Sequence, residues 1–429
     1  MKHTWKRLLG VSLALMLLLG CLSLGGFADD LEFISAEQYL TTIKPDGADD
    51  LKFNEDGSFK IIQLSDLQET FFSSCMTADF IKWLAETEKP DLFVLTGDNS
   101  ASPGLGVPFI DRFVINQSID SFMNVFDEVG IPVTMVLGNH DVEKTNVTRW
   151  QAVQRYQAHK SYIGYGTASA DGSDGAHWGT HCLTIKDFAG TTDKFALWMF
   201  DSGSYVTKEV EKEVEVVGED GETTTETITE IVDDGYDCVS TAQVNWFSNN
   251  SLKGLPGFTF QHIPVIEVFN YLDPIEPAPA EGLKWKLPAG TKGVMRENPC
   301  PSKYNYGQFV AVSATDSGVL AMFFGHDHVN TFELETDGAM LVNSPTSGFG
   351  SYGDKDLRGV RVITLDADDL TTFETKIVTY EDFVDANGTL TSLLQGLRLS
   401  WFDWRGLPGW VLDWLFFVPS IWFFSLLGL

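Results

Sequence analysis

Positive charge is scarce in this chain: 29 Lys and Arg stand against 60 Asp and Glu in 429 residues, a net charge of −31 at neutral pH. Holding a nucleic-acid backbone needs a basic face, so no nucleic-acid partner is expected. Cysteine is also sparse. The five cysteines (Cys21, Cys75, Cys182, Cys238 and Cys300) form no CxxC pair, which excludes zinc-ribbon and thioredoxin-like sites. The last four allow up to two disulfides in an oxidising compartment, or remain buried thiols. Long apolar runs are missing too. Leu8–Leu19 is too short to span a bilayer core, and the uncharged run Trp414–Leu429 would reach only about 24 Å as a helix.

What is present is enough for a large core, with 44% hydrophobic and 21% charged residues. Lys2, Lys6 and Arg7 before the apolar run read as an export signal over residues 1–28. Cleavage after Gly26-Phe27-Ala28 competes with lipid attachment at Cys21, in the lipobox-like Leu18-Leu19-Gly20-Cys21. The chain is expected to be exported, extracellular or at the cell surface. Five of its twelve Trp residues fall in the last 29 positions, and such Trp-rich segments favour the bilayer interface, so a membrane contact is expected through 397–429. Packing of this tail on the domain or on a partner chain is the alternative. A lead segment (29–52), a main domain (53–380) and the hydrophobic segment 381–429 complete the division.

Within the main domain, apolar runs end in polar, ligand-type residues: FKIIQLSD (59–66), DLFVLTGD (91–98), PVTMVLGNHD (132–141), FALWMFDS (195–202), FTFQHIP (258–264) and VLAMFFGHDH (319–328). Helical stretches intervene, as where Ile119, Phe122, Met123 and Phe126 follow Ser118 and precede Gly130. Alternating strands and helices predict an α/β fold, whose ligands gather beyond the carboxyl ends of the strands. Asp66, Asp98, Asn139, His140, His262, His326 and His328 are thereby expected along one edge of one sheet system. Segment 207–234 carries eleven acidic against two basic residues, a net of −9, with period-two alternation about a Gly/Asp turn. It reads as an exposed β-hairpin rather than a calcium loop.

Asp, Asn and His at strand ends supply the oxygen and nitrogen ligands that Zn, Fe or Mn accept. The series DLQ (66–68), GDN (97–99), GNHD (138–141), QHIP (261–264) and GHDH (325–328) resembles the calcineurin-like metallophosphoesterases, over about Phe53 to Asp366. With DSGSY (201–205), GYD (235–237) and GFGSYGDKDLRGVRV (348–362), it resembles their purple-acid-phosphatase-like branch, which includes a yeast phosphatase and certain plant relatives.

This resemblance implies a four-layer fold, two mixed β-sheets sandwiched and flanked by helices, and a pair of divalent or trivalent ions (Fe, Mn or Zn). Asp98 would bridge them, Asp66 and His328 would serve one ion, and Asn139, His262 and His326 the other. His140 would stand beside the phosphate of a small phosphorylated substrate, with Asp141 orienting it. The implied reaction is hydrolysis of a phosphomonoester, ahead of a phosphodiester or pyrophosphate, by a dimetal-bridged hydroxide. Two departures stand out. Gln68 occupies the position of a family histidine ligand, and Ala101 that of the tyrosine that colours true purple acid phosphatases. The alternative is a catalytically weak or inactive metal-binding surface protein of the same fold. His177 and His181 would line the cleft or be solvated; Arg358 and Arg361 would touch a phosphate or decorate a last edge strand. The glycine-rich stretch 348–353 is not a P-loop, as no GK[ST] follows.

Overall fold

The six apolar runs do form strands, but they divide between two sheets facing each other. The computed structural model describes residues 51–69, 75–101, 106–164, 178–217 and 223–387. The expectations for the export signal, Cys21, His177 and 397–429 lie outside the described residues. In chain order the strands are β1 (Ser58–Leu64), β2 (Leu92–Thr96), β3 (Val133–Val136), β4 (His181–Lys186), β5 (Asp193–Met199), β6 (Tyr205–Val217), β7 (Thr223–Tyr236), β8 (Gly257–Phe260), β9 (Asp273–Pro274), β10 (Trp285–Lys286), β11 (Val319–Phe324), β12 (Glu333–Leu334), β13 (Met340–Asn343), β14 (Gly359–Asp366) and β15 (Asp369–Thr379). The helices are α1 (Cys75–Thr87), α2 (Pro108–Val129), α3 (Arg149–Gln157), α4 (Thr241–Asn249), α5 (Gln308–Val312) and α6 (Tyr380–Asn387).

One sheet runs β15-β14-β1-β2-β3, the other β12-β13-β11-β8-β5-β4. Strands β1, β2 and β3 are mutually parallel, as are β5, β8, β11 and β13. Period two explains the layering. In β5, Phe195, Leu197 and Met199 face the core between the sheets with Phe59, Ile61 and Val94, while Ala196 and Trp198, with Phe200 just past the strand, face a second core on the outside. Strands buried on both faces read as continuous apolar runs, which is why they were legible. Helices complete the outer layers: Phe126 of α2 packs on Phe93 of β2 at 5.1 Å, and Phe247 of α4 on Trp198 at 4.8 Å. The architecture is mixed α/β, with two sheets between helices.

Several local expectations change. Helix α2 begins at Val107-Pro108, not near Ser118; Ser118 sits within it and bonds back to the Val114 carbonyl at 2.9 Å. Proline suits the first helical position because its missing N–H would have no partner there. Gly130 does close the helix, at φ 73°. Cys182, Cys238 and Cys300 are free thiols. Strands β6 and β7 pair from Tyr205↔Tyr236 out to Val217↔Thr223, a ribbon about 40 Å long. Among the described residues, no helix is long and apolar enough to cross a membrane.

Arg358 and Arg361 are neither phosphate contacts nor edge decorations. Both are fully buried, and β14 is an inner strand of its sheet. Arg361 donates to Glu333 and Thr375 at 2.9 Å each and to the carbonyls of Thr331 and Asn343 at 2.9 and 2.8 Å, bracing one sheet against the other. Arg358 donates to the Gly348 carbonyl and lies 4.8 Å over the Phe349 ring.

His181 is also interior rather than in the cleft. Its Nδ1 faces the Gly179 carbonyl, so Nδ1 carries the hydrogen and Nε2 accepts from the Thr134 hydroxyl at 2.7 Å. Burial pushes its pKa down to about 4. The unfolded chain therefore binds a proton that the folded one does not, as pH falls from about 6.5 to about 4. Stability due to this group is full above that window and falls by about 3 kcal/mol across it. Urea midpoints followed against pH should show an acid slope in the parent chain that His181→Gln flattens by one proton; an unchanged slope would refute this burial.

Candidate metal centre

The site forms where the carboxyl ends of both sheets' parallel strands meet. Asp66 follows β1, Asp98 follows β2, and Asn139 and His140 follow β3; His262 follows β8, and His326 and His328 follow β11. The chain turns abruptly at these points. Asp66, Gln68, Asp98 and His326 hold φ of 52°, 45°, 48° and 70°, in a left-handed region that disfavours side chains. Such strain, about 1–3 kcal/mol per residue, concentrates at functional sites. Two glycines are needed for close approach: a Cβ on Gly97 would stand 2.6 Å from His262, and one on Gly138 would collide with the Asp98 carboxylate.

The donors converge on His262. Its Nε2 lies 3.1 Å from Asn139 Oδ1, 3.2 Å from His326 Nδ1, 3.3 Å from Asp98 Oδ2 and 4.0 Å from Asp66 Oδ1. Its Nδ1 faces the Thr96 carbonyl at 2.9 Å and so holds the hydrogen, leaving Nε2 as the inward atom. Every one of those neighbours is an electron-pair donor. The space among them calls for positive charge, either a proton on His262 or a metal ion. Donors bound to one ion at about 2.1 Å stand about 3.0–3.5 Å apart, so the set fits a metal. His328 repeats the device: Nδ1 faces the Tyr352 carbonyl at 3.0 Å, and Nε2 lies 3.2 Å from Asp66 Oδ1. Carbonyls that fix the outer ring nitrogen orient imidazole ligands.

Electrostatics agree with this arrangement. Burial disfavours charge on His262, but Asp98 and Asp66 outweigh it and push its pKa up to about 9. Burial opposes ionisation of Asp98 as well, yet His262 and His140 hold it far below the usual carboxylate range. His326, buried and next to charged His262, is pushed down to about 3. Burial and the Asp98 charge push Asp141 up to about 6.

Asp141 makes no hydrogen bond to the His140 ring. Its carboxylate accepts from the backbone N–H groups of Ser100 and Gly138, at 2.8 and 2.7 Å, and so fixes the loop. The partner of His140 Nδ1 is Glu143, at 2.5 Å. A carboxylate three residues after the histidine was the sequence signal. His140 is 37% exposed, with Nε2 3.8 Å from Asp98 Oδ2. Gln68 lies in the site, but its amide nitrogen faces Asp98 Oδ2 at 3.3 Å, so it donates a hydrogen bond there. Asp327 turns away, accepting from the Cys300 N–H at 3.1 Å. Arg149 also escaped sequence reading. It pairs with Asp201 and donates to the carbonyls of Leu137 and Gly138, tying this loop to the end of β5.

A model of the calcineurin-like phosphoesterase family matches residues 59–330, more than half of the chain. The chain belongs to that family. It is 27% identical over 356 residues to Probable inactive purple acid phosphatase 14 of Arabidopsis thaliana, covering 74% of this chain and 77% of that protein. It is 24% identical over 316 residues to Phosphatase DCR2 of Saccharomyces cerevisiae, covering 68% of this chain and 47% of the yeast protein. Among solved structures it is similar to a dimetal phosphatase from Danio rerio, at 13% identity and a TM-score of 0.42, covering 74% of this chain and 98% of the other. In this calcineurin-like phosphoesterase, one ligand atom from each of Asp66, Asp98 and His262 lies within 4.8 Å of the others, close enough for all three to hold one metal ion.

Proposed function

We propose that this calcineurin-like phosphoesterase hydrolyses a small phosphomonoester, ahead of a diester or pyrophosphate, with metal-assisted attack by water. The observation that carries this reading is the convergence of Asp66, Asp98, Asn139, His262, His326 and His328 beside a half-exposed His140. Asp98, at the centre, would be shared by two ions; Asp66 and His328 would hold one, and Asn139, His262 and His326 the other. When bound, the cations lower the pKa of water and neutralise charge on the phosphate. Ions held by Asp66, Asp98 and the histidines would also let a phosphate approach a chain of net charge −31, since fixed cations reverse the local field. Glu143 accepts from His140 Nδ1 at 2.5 Å and so orients the ring; a proton carried on Nε2 would then be donated to a phosphoryl oxygen or to the leaving oxygen. Export, with a lipid anchor at Cys21 or a membrane contact through 397–429, belongs to the same reading and rests on the sequence.

A second reading, a catalytically weak or inactive metal-binding protein, is favoured by Gln68 and by the name of the Arabidopsis relative. Metal titration separates them. Uptake of Mn²⁺ or Zn²⁺ by metal-free protein at pH 8 should release protons, because the ion displaces the one on His262. Hydrolysis of aryl phosphates should follow metal content and stop with chelator. Bound metal with no turnover for any ion tried would favour the second reading. Gln68→His should raise affinity for the more weakly held ion; an unchanged titration would exclude this position from the site.

A further inference from the structure

The acidic hairpin is long and solvated along its blade, yet its root is built into the metal centre. Tyr205 and Tyr236 form its innermost pair, with ring centroids 5.5 Å apart. The Tyr205 hydroxyl accepts from Asn139 Nδ2 at 2.8 Å, and Ser204 Oγ donates to the Asn139 carbonyl at 3.1 Å. One residue thus has its side chain and backbone held by consecutive residues entering β6. Ser202 Oγ accepts from the Ile263 N–H at 3.0 Å, beside His262. On the returning strand, Tyr236 meets the His326 ring edge-on at 4.5 Å. The hairpin root therefore reaches Asn139, the loop of His262, and His326.

The Tyr205 contact has a chemical consequence. An asparagine can bind a cation only through its carbonyl oxygen, because its amide nitrogen has no free lone pair. Flipping the side chain would aim N–H groups at the ion. A phenol oxygen that takes up Nδ2 holds Oδ1 toward His262, in the orientation a cation requires.

We propose that Tyr205 and Tyr236 are positioning residues, which preorganise Asn139 and His326 for the second ion and make the hairpin root part of the metal centre. This rests on the metal-centre reading above. Groups that orient ligands in this way contribute about 10–100-fold to metal affinity.

The test is Mn²⁺ titration of metal-free full-length protein by calorimetry, with Co²⁺ absorption as a second readout. Tyr205→Phe keeps the ring on Tyr236 and removes only the hydroxyl. It should bind about 10-fold more weakly or worse at one site and change the Co²⁺ spectrum, with metal-free thermal unfolding unaltered. Tyr236→Leu should weaken the same site through His326. Shortening 208–233 to a tight turn, with both tyrosines kept, should leave affinity intact. Wild-type affinity and spectrum in Tyr205→Phe, or lost stability with unchanged affinity, would overturn the proposal and leave the metal centre standing. Failure of the wild type to bind any metal would overturn both.

Discussion

Asp98→Asn should abolish metal-dependent hydrolysis, lowering the rate by at least about 10³-fold, with loss of bound metal. Removing one preorganised charge-stabilising group from an active site costs about 10²–10³-fold, and Asp98 would serve two ions. Its surroundings make the substitution specific. The carboxylate is buried, accepts the His140 N–H at 2.7 Å through Oδ1 and faces His262 through Oδ2. Asparagine keeps the size but turns one carboxylate oxygen into an amide NH2, which can neither bind a cation nor accept from protonated His262 Nε2. The charge that holds His262 protonated would also weaken, so its pKa should drop from about 9. Metal content by elemental analysis and an aryl phosphate assay would check this. Wild-type activity in folded Asp98→Asn would dismantle the site assignment.

His140→Gln should reduce turnover by about 10²–10⁴-fold while leaving metal content unchanged. Its imidazole is held through Nδ1 by Glu143, and its Nε2 lies toward the donor cluster without being among the atoms that converge on His262. Assistance to the leaving oxygen matters most for poor leaving groups. The loss should therefore be larger for alkyl than for aryl phosphates. An equal loss on both, expressed in KM, would instead make His140 a phosphate-binding group. Metal lost along with activity would place it among the ligands.

How much of this was legible depended on how far away each partner lies. The strand ends could be read because period-two apolar runs and the residues terminating them are local. Glu143 was within reach, three residues beyond His140. The helix start at Pro108 was missed because Ser118, a good capping residue, is occupied by a bond to its own helix. His181, Arg358 and Arg361 were misjudged for a different reason. Polar side chains in an apolar setting need partners, and theirs, Thr134, Gly348 and Glu333, come from elements that sequence spacing does not connect. The expectation that Asp141 orients His140 failed similarly, since its carboxylate caps backbone groups of two loops. The hairpin was visible as alternation, whereas the roles of Tyr205 and Tyr236 appear only when the root meets Asn139 and His326.

By itself the sequence determined which donors exist, that they end buried strands, and that phosphate can approach only where positive charge is held. Those properties depend on residue type and short-range period. Tertiary structure alone decided that the donors come from two facing sheets, which nitrogen of each imidazole points inward, and which atom of Asn139 faces His262. The tautomer of His262 is set by the Thr96 carbonyl, 166 residues away in the chain. Contacts of that kind are made only when separate strands meet.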